Sequence, residues 1–209
     1  MYAVIDIETT GGNAQHGKIT EVAIFVFDGE KIVDEFSSLI NPECPIPEYI
    51  TRLTGITNEM VADAPKFYEV AKEIVEYTEG HVFVAHNVNF DYKFIQAEFA
   101  KLGYPYKRET LCTVRLSRKA IPGQPSYSLG KITKALGISL DNHHRAAADA
   151  RATVDLLHYC MQQPHGEEAL DSLLKGQRAG KEARKLLPSD TLNRLPESCG
   201  VYYFHDADG

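Results

Sequence analysis

The stretch Tyr2-Ala3-Val4-Ile5-Asp6-Ile7-Glu8-Thr9-Thr10-Gly11-Gly12 is an apolar, β-branched run that ends in two glycines, which predicts a buried strand. Side chains alternate across a strand, so Asp6 and Glu8 share one face while Ile5 and Ile7 share the other. Burying unpaired carboxylates is costly unless a cation or hydrogen bonds compensate. The two acids therefore indicate either a site for Mg²⁺ or Mn²⁺, or an edge strand on which they are solvated.

The segments that follow predict a hairpin and then an alternation of helix and strand. Residues 21–27 and 31–40 have the composition of strands, and Asp28-Gly29 between them is a strong hairpin signal. Residues 65–77 carry apolar side chains at helical spacing and precede an apolar strand at 82–85. We therefore predict an α/β fold in which three antiparallel strands are joined by parallel strands, with helices on both faces.

A second segment with an acidic residue follows the strand at 82–85 and reads His86-Asn87-Val88-Asn89-Phe90-Asp91. Asn89 is a natural N-cap for the helical pattern that begins here, which would place Asp91 in the first turn. An acid at that position complements the helix dipole, so Asp91 is either a capping carboxylate or part of the same cation site.

A third segment, residues 142–149, combines two histidines with an aspartate and leads into a helical pattern at 150–161. On an ideal helix His144 and Asp149 would lie about 140° apart, too far for one face. We therefore expect His144 in the loop before the helix, where it suits a mobile general base, and Asp149 on the helix as a fixed metal ligand. We expect His143 to be a solvated loop histidine.

Together these segments resemble the three motifs of DnaQ-like 3′→5′ exonucleases of the DEDDh type, such as the DNA polymerase III epsilon subunit family. The resemblance covers residues 1–163 and includes Leu53-Thr54-Gly55-Ile56-Thr57. It implies a ribonuclease H-like fold, with a mixed five-stranded sheet flanked by helices. It also implies that two divalent cations, Mg²⁺ or Mn²⁺, are held by Asp6, Glu8, Asp91 and Asp149.

In that family pattern His144 takes the proton from the attacking water, so the catalytic set comprises His144 and the four acids. The resemblance further implies that the backbone around Thr9 and the side chain of Leu53 grip the terminal nucleotide, with Asn87 helping near the scissile phosphate. From the residues alone, Thr9 is equally consistent with a turn residue and Leu53 with a core residue. Asn87 is equally consistent with a residue that forms a local turn.

Composition sets limits on the class of protein. The chain has 209 residues, 44% of them hydrophobic, which suffices for one α/β domain with a proper core. Its cysteines are widely spaced and form no CxxC pair, which argues against zinc or disulfides. No targeting or membrane-length apolar segment is visible, so we predict a cytoplasmic location without a membrane partner. A net charge of −7 does not exclude nucleic acid, since bound cations reverse the sign of an acidic site.

The C-terminal part changes in character. We predict a helical linker at 164–194, because Pro164-His165-Gly166 breaks the preceding helix and a basic helical pattern follows. Residues 195–209 resemble the opening of a GIY-YIG nuclease domain of the UvrC type, with Gly200-Val201-Tyr202 as its first half, or else form a simple hairpin. The rest of such a domain is not in the sequence, so we expect a piece of a longer protein with no working second nuclease.

The sequence thus predicts a metal-dependent 3′→5′ exonuclease that releases nucleoside 5′-monophosphates from single-stranded or frayed DNA ends, in proofreading or repair. One alternative is an enzyme that trims RNA with the same site. Another is a non-catalytic module that docks onto a polymerase or repair complex. A purely structural domain would leave two inward-facing acids on one strand unexplained.

Overall fold

A mixed sheet of five strands forms the centre of the fold in the computed structural model, which describes residues 1–140 and 143–175. The strands are β1 (Tyr2–Thr9), β2 (Ile19–Phe27), β3 (Ile32–Leu39), β4 (Val82–Ala85) and β5 (Thr110–Cys112). Their order is β3-β2-β1-β4-β5, with antiparallel pairing on the β2 side of β1 and parallel pairing on the β4 side. The predicted α/β class and the predicted mixed sheet are confirmed.

The helices connect and cover these strands. They are α1 (Glu48–Thr54), α2 (Asn58–Ala62), α3 (Phe67–Thr78), α4 (Asn89–Lys101), α5 (Thr113–Ala120), α6 (Leu129–Leu136) and α7 (Ala146–Met161). Among the residues described, no helix has the length and apolar character needed to cross a membrane.

Alternation along β1 divides its side chains between the two faces of the sheet. Ala3, Ile5 and Ile7 pack into a core with residues of α3 and α4. Val4 packs on the other face, in a core that contains Ala150 and other residues of α7. Asp6 and Glu8 continue the Val4 side, so both acids point toward the α7 face. The predicted sharing of one face by the two acids is confirmed.

The Asp28-Gly29 turn joins β2 to β3 as predicted. The Oδ1 atom of Asp28 accepts hydrogen bonds from the backbone N–H groups of Glu30 and Lys31, each at 2.8 Å. The Asp28 N–H in turn donates to the Lys31 carbonyl at 3.1 Å. This closed ring of hydrogen bonds sets the register between β2 and β3. Strand β2 also carries a buried acid, Glu21.

The beginning of α4 differs from the prediction. The helix begins at Asn89 and is capped by Val88, without a side-chain hydrogen bond, so the assignment of Asn89 as the N-cap is wrong. The chain turns instead at Asn87, whose φ of 75° lies in the left-handed region that Asn tolerates better than most residues. The Asn87 carbonyl accepts the first hydrogen bond, from Phe90 N–H at 2.9 Å. Asp91 still falls in the first turn, as predicted.

Residues 166–175 are also helical and pack against the α7 face, where Ala169, Leu170 and Leu173 join the core. The compact unit therefore extends from Met1 to Leu174, past Gln163. The predicted domain boundary at 163 stays a prediction. The remainder of the predicted linker, 176–194, and the predicted start of a second domain at 195–209 lie outside the described residues.

Candidate active site

Acidic side chains from three elements meet at the carboxyl end of β1. Asp6 and Glu8 come from the strand itself, and Asp149 comes from the first turn of α7. Carboxylate oxygens of these three residues lie within 4.8 Å of one another. Asp91 is buried in the first turn of α4, and its charge acts on Asp6. The structure therefore brings together the four acids that the sequence singles out.

Burial, together with charge repulsion at Asp6 and Glu8, raises the pKa values of three of these carboxyl groups. The pKa of Asp6 lies well above its usual range, chiefly because of burial and then because of the charges of Asp91, Asp149 and Glu8. Burial, followed by the same kind of repulsion, raises the pKa of Glu8 to about 8. Burial also raises the pKa of Asp91 to about 8, although backbone N–H groups, including that of Ile7, oppose the shift. The site has an excess of negative charge that only cations or protons can relieve.

The donor set fits Mg²⁺ or Mn²⁺. These are hard ions that prefer carboxylate oxygens, and the cluster formed by Asp6, Glu8 and Asp149 offers only such atoms. A cation would remove the repulsion that raises the pKa values of Asp6 and Glu8. The residues present therefore fit divalent cations.

The two histidines lie just before α7, and their contacts differ from the expectation. His144 occupies the loop, as predicted, with a left-handed φ of 68°. Its backbone N–H donates to Asp149 Oδ2 at 3.3 Å. His143 is partly exposed, but its Nδ1 atom contacts Asp149 Oδ1 at 2.7 Å. His143 is thus an exposed loop histidine, as expected, and it also contacts Asp149, which the sequence alone does not predict.

The residues predicted to grip a nucleotide lie at the end of β1, on α1 and just before α4. Thr9 is buried, and its hydroxyl donates to the Gly11 carbonyl at 2.9 Å, so it shapes the turn after β1. Asn87 is exposed at the left-handed turn before α4. Leu53 is 51% exposed on α1, which is unusual for a leucine and leaves it free to contact a ligand. The structure assigns no ligand to these positions, and their binding roles stay predictions.

His86 is a half-buried histidine that the sequence alone does not single out. Its Nδ1 and Nε2 atoms lie 2.9 Å from the Thr113 hydroxyl and 2.9 Å from the Tyr127 carbonyl, respectively. The carbonyl only accepts, so Nε2 carries the proton and Nδ1 accepts from Thr113. Burial lowers the pKa of His86, which keeps the ring neutral.

Glu21 is a second residue that sequence reasoning missed. It is buried within β2, where every residue is buried, and it bonds to Arg145 at the start of α7. A signal was available, because Glu21 stands alone among apolar side chains in the same way as Asp6. Its pairing with Arg145 could not be read, since 124 residues separate the two.

Comparisons with known proteins agree with this geometry. Residues 3–157 match the family RNase_T, described as Exonuclease. The chain is 42% identical over 163 residues to a DNA polymerase III PolC-type of Clostridium perfringens, covering 78% of the chain and 11% of that protein. It is 39% identical over 170 residues to the 3'-5' exonuclease DinG of Bacillus subtilis, covering 78% and 18%.

Two further comparisons differ in how much they cover. A Mycobacterium tuberculosis protein provisionally named a bifunctional exonuclease/endonuclease is 33% identical over 222 residues, covering 100% of the chain and 34% of that protein. A solved structure of Exonuclease X in complex with 5' overhanging duplex DNA superposes with a TM-score of 0.64 at 34% identity, covering 77% of the chain and 91% of the other.

The chain thus spans only 11% to 34% of the length of these curated relatives. The match to the family nevertheless runs through all three acidic segments, from β1 to α7. The chain belongs to the RNase_T exonuclease family.

Proposed function

We propose that the chain is a 3′→5′ exonuclease that hydrolyses terminal phosphodiester bonds of DNA and releases nucleoside 5′-monophosphates. The observation that carries the proposal is the convergence of Asp6, Glu8 and Asp149 within 4.8 Å, with Asp91 buried beside Asp6. Support for the polarity comes from the name of the DinG relative. Support for a DNA substrate comes from Exonuclease X, whose bound duplex has a 5′ overhang.

Each acid has a part in this proposal. Two divalent cations, held by Asp6, Glu8, Asp91 and Asp149, would supply an activated water and charge relief on the leaving oxygen. Asp6 and Glu8 are fixed by the strand ladder, and Asp91 and Asp149 by helix turns, so the four carboxylates are preorganised.

His144 is the proposed general base. Burial and the neighbouring His143 charge lower the pKa of His144, which keeps Nδ1 or Nε2 free to accept a proton at neutral pH. Its position in the loop before α7 allows the ring to approach a phosphate in the crevice.

Grip on the 3′ end is assigned to Thr9, Leu53 and Asn87, and we add Tyr49. Tyr49 is 60% exposed on α1, one turn before Leu53, and its hydroxyl lies 3.8 Å from the position that a Cβ on Gly11 would occupy. An exposed aromatic ring next to the end of β1 suits stacking on a nucleobase, which is tolerant of sequence.

A groove beside that tyrosine could receive the strand. It has a volume of about 310 Å³ and is lined by the Gly11-Gly12 turn, His16, Cys44, Pro45 and Pro47, among others. It contains little positive charge, which suits an enzyme that grips a few terminal nucleotides rather than a long duplex.

The wider setting is also a proposal. The PolC and DinG relatives support work within a polymerase or another DNA-processing protein, in proofreading or repair. The Mycobacterium tuberculosis relative, which matches the whole chain, is consistent with the resemblance of residues 195–209 to the opening of a GIY-YIG nuclease domain. A cytoplasmic location remains our expectation.

The test uses the purified chain with three substrates labelled at the 5′ end: a 3′-recessed duplex, a single-stranded DNA and an RNA of the same sequence. Each is incubated with Mn²⁺ or with EDTA, beside an Asp6→Asn variant. We expect a ladder that shortens from the 3′ end on both DNAs, only with Mn²⁺ and only in the unsubstituted chain. A ladder on RNA alone would support the RNA-trimming alternative. Binding without any cleavage would support the docking module instead.

A further inference from the structure

Glu8 and Glu21 stand directly opposite each other across β1 and β2. Directly opposed residues share a face of the sheet and have Cβ atoms about 4.5–5.5 Å apart, so two like charges there are unfavourable. Glu21 is only 5% exposed, and water cannot relieve the repulsion. A buried carboxylate beside a predicted metal ligand requires a partner of its own.

Arg145 is that partner. Its Nε atom donates to both carboxylate oxygens of Glu21, at 3.1 and 3.2 Å, and its second terminal nitrogen donates to Oε1 at 2.7 Å. This fork is the strong arrangement for an arginine and a carboxylate. Arg145 acts on both of the opposed acids. It hydrogen-bonds to Glu21, and its positive charge lowers the pKa of Glu8, against the effect of burial.

Glu21 also fixes the first turn of α7. The N-cap residue, Arg145, makes no side-chain cap hydrogen bond, and Glu21 Oε2 accepts instead from the Ala146 N–H at 2.9 Å. The Arg145 carbonyl then accepts from the Asp149 N–H at 3.0 Å. One carboxylate on β2 therefore determines where the helix begins and where Asp149 points.

We propose that Glu21 is a positioning residue: it holds Arg145 away from Glu8 and anchors the start of α7, so that Glu8 and Asp149 stay available to divalent cations. This inference rests on the proposed cation site of the exonuclease. Neither Glu21 nor Arg145 touches the reacting atoms in this scheme. If Glu21 loses its charge, the guanidinium of Arg145 turns toward Glu8, whose pKa it already lowers, and competes there with the cation.

That competition separates the proposal from a purely structural ion pair. A structural pair predicts that loss of either partner lowers thermal stability and leaves cation affinity per folded molecule unchanged. The proposal predicts instead that loss of Glu21 alone is the most harmful to cation affinity, and that removing Arg145 as well relieves the defect. This sign of the coupling is what a double-mutant cycle measures.

The experiment measures Mn²⁺ binding to the full chain by calorimetry, without nucleic acid, for Glu21→Gln, Arg145→Gln and the double variant. We expect Glu21→Gln to weaken Mn²⁺ binding by about tenfold or more, within the range known for residues that orient metal ligands. The double variant should recover most of that loss. Arg151→Gln is the matched control, since Arg151 lies on the same helix in an exposed pair with Asp155.

Nuclease assays on the same variants provide a second readout. Arg145→Gln should lower kcat by about tenfold with KM for single-stranded DNA nearly unchanged, because the start of α7 then keeps only the Ala146 N–H bond to Glu21 and loses the three bonds from Arg145. If Glu21→Gln does not fold, Glu21→Asp keeps the charge but shortens the reach to Ala146 and should show the same kcat effect.

The outcomes distinguish the claims. Equal Mn²⁺ affinity in all variants, or a double variant as weak as Glu21→Gln, would overturn the positioning role. Tight Mn²⁺ binding without cleavage of any substrate would contradict the proposed exonuclease function. The positioning role of Glu21 at the cation site would still hold. A chain that binds no Mn²⁺ would overturn both.

Discussion

The Nδ1 atom of His143 lies 2.7 Å from Asp149 Oδ1, whereas the neighbouring His144 reaches the same carboxylate only through its backbone N–H. The two imidazole rings are stacked, with centroids 3.9 Å apart. His143 thus shares a carboxylate assigned to a divalent cation, while the ring of His144 remains available for proton transfer. We therefore propose different roles for the two adjacent histidines.

Substituting each histidine tests this division. His144→Gln should lower kcat by about a hundredfold or more, the usual loss on removing a general base, with little change in KM. His143→Gln should lower kcat much less, because it removes only a partner of Asp149. Steady-state kinetics on single-stranded DNA with saturating Mn²⁺ measure both variants. A larger loss in His143→Gln would reverse the assignment.

Removing one acid should separate activity from stability. Asp6→Asn should abolish detectable cleavage because it removes a cation ligand at the centre of the cluster. The same change should raise Tm in EDTA, since it removes repulsion from Asp91, Asp149 and Glu8. Differential scanning calorimetry checks this. The control is Asp155→Asn on the exposed face of α7, which should alter neither activity nor Tm appreciably.

The raised pKa values predict an unusual pH dependence without cations. Glu8 and Asp91 have pKa values of about 8 in the folded chain, far above the ordinary values of 4.5 and 3.8. Between these limits the native state binds more protons than the unfolded state, so the free energy of unfolding falls as pH rises toward 8. Mn²⁺ should oppose this fall by replacing the protons.

Thermal melts in EDTA across about pH 5 to 8 measure that slope. Glu8→Gln, which lacks one of the titrating groups, should lose less stability than the unsubstituted chain over the same range. Identical slopes in the two proteins would show that Glu8 ionises normally, and that burial and the neighbouring charges do not raise its pKa.

The exposed ring of Tyr49 predicts an effect on substrate binding. Tyr49→Ala should raise KM for single-stranded DNA by about fivefold or more, as expected when one base loses an aromatic stacking partner. Tyr49→Phe keeps the ring and should behave like the unsubstituted chain. Tyr68→Ala, at another exposed tyrosine on α3, is the control. Equal KM values for Tyr49→Ala and Tyr68→Ala would remove Tyr49 from the grip.

Local patterns were sufficient for the strand that carries the acids. The alternation in β1 predicts which side chains share a face, and the structure confirms that Ile5 and Ile7 lie in one core while Val4 lies in the other. The Asp28-Gly29 turn was equally readable, because its hydrogen bonds involve only neighbouring residues. Periodicity and turn chemistry are local properties, so the antiparallel arrangement of the first three strands could be inferred from them.

Details that depend on distant partners were not readable. Asn89 has the right chemistry for an N-cap, yet the left-handed turn at Asn87 starts the helix without it. His143 finds its partner only after α7 brings Asp149 beside the loop. Glu21 and Arg145 meet only because β2 and α7 pack together, and no local pattern contains that information.

The acids of the site are spread over most of the folded unit. Asp6 and Glu8 lie in β1, close to the N-terminus of the unit, whereas Asp149 lies in α7, close to the C-terminal end of the unit. A chain still emerging from the ribosome acquires Asp6, Glu8 and then Asp91, but lacks the fourth carboxylate, Asp149, until α7 has been made and packed. An incompletely synthesised chain would therefore be unable to cut nucleic acid. Hydrolytic capacity would arise together with completion of the fold.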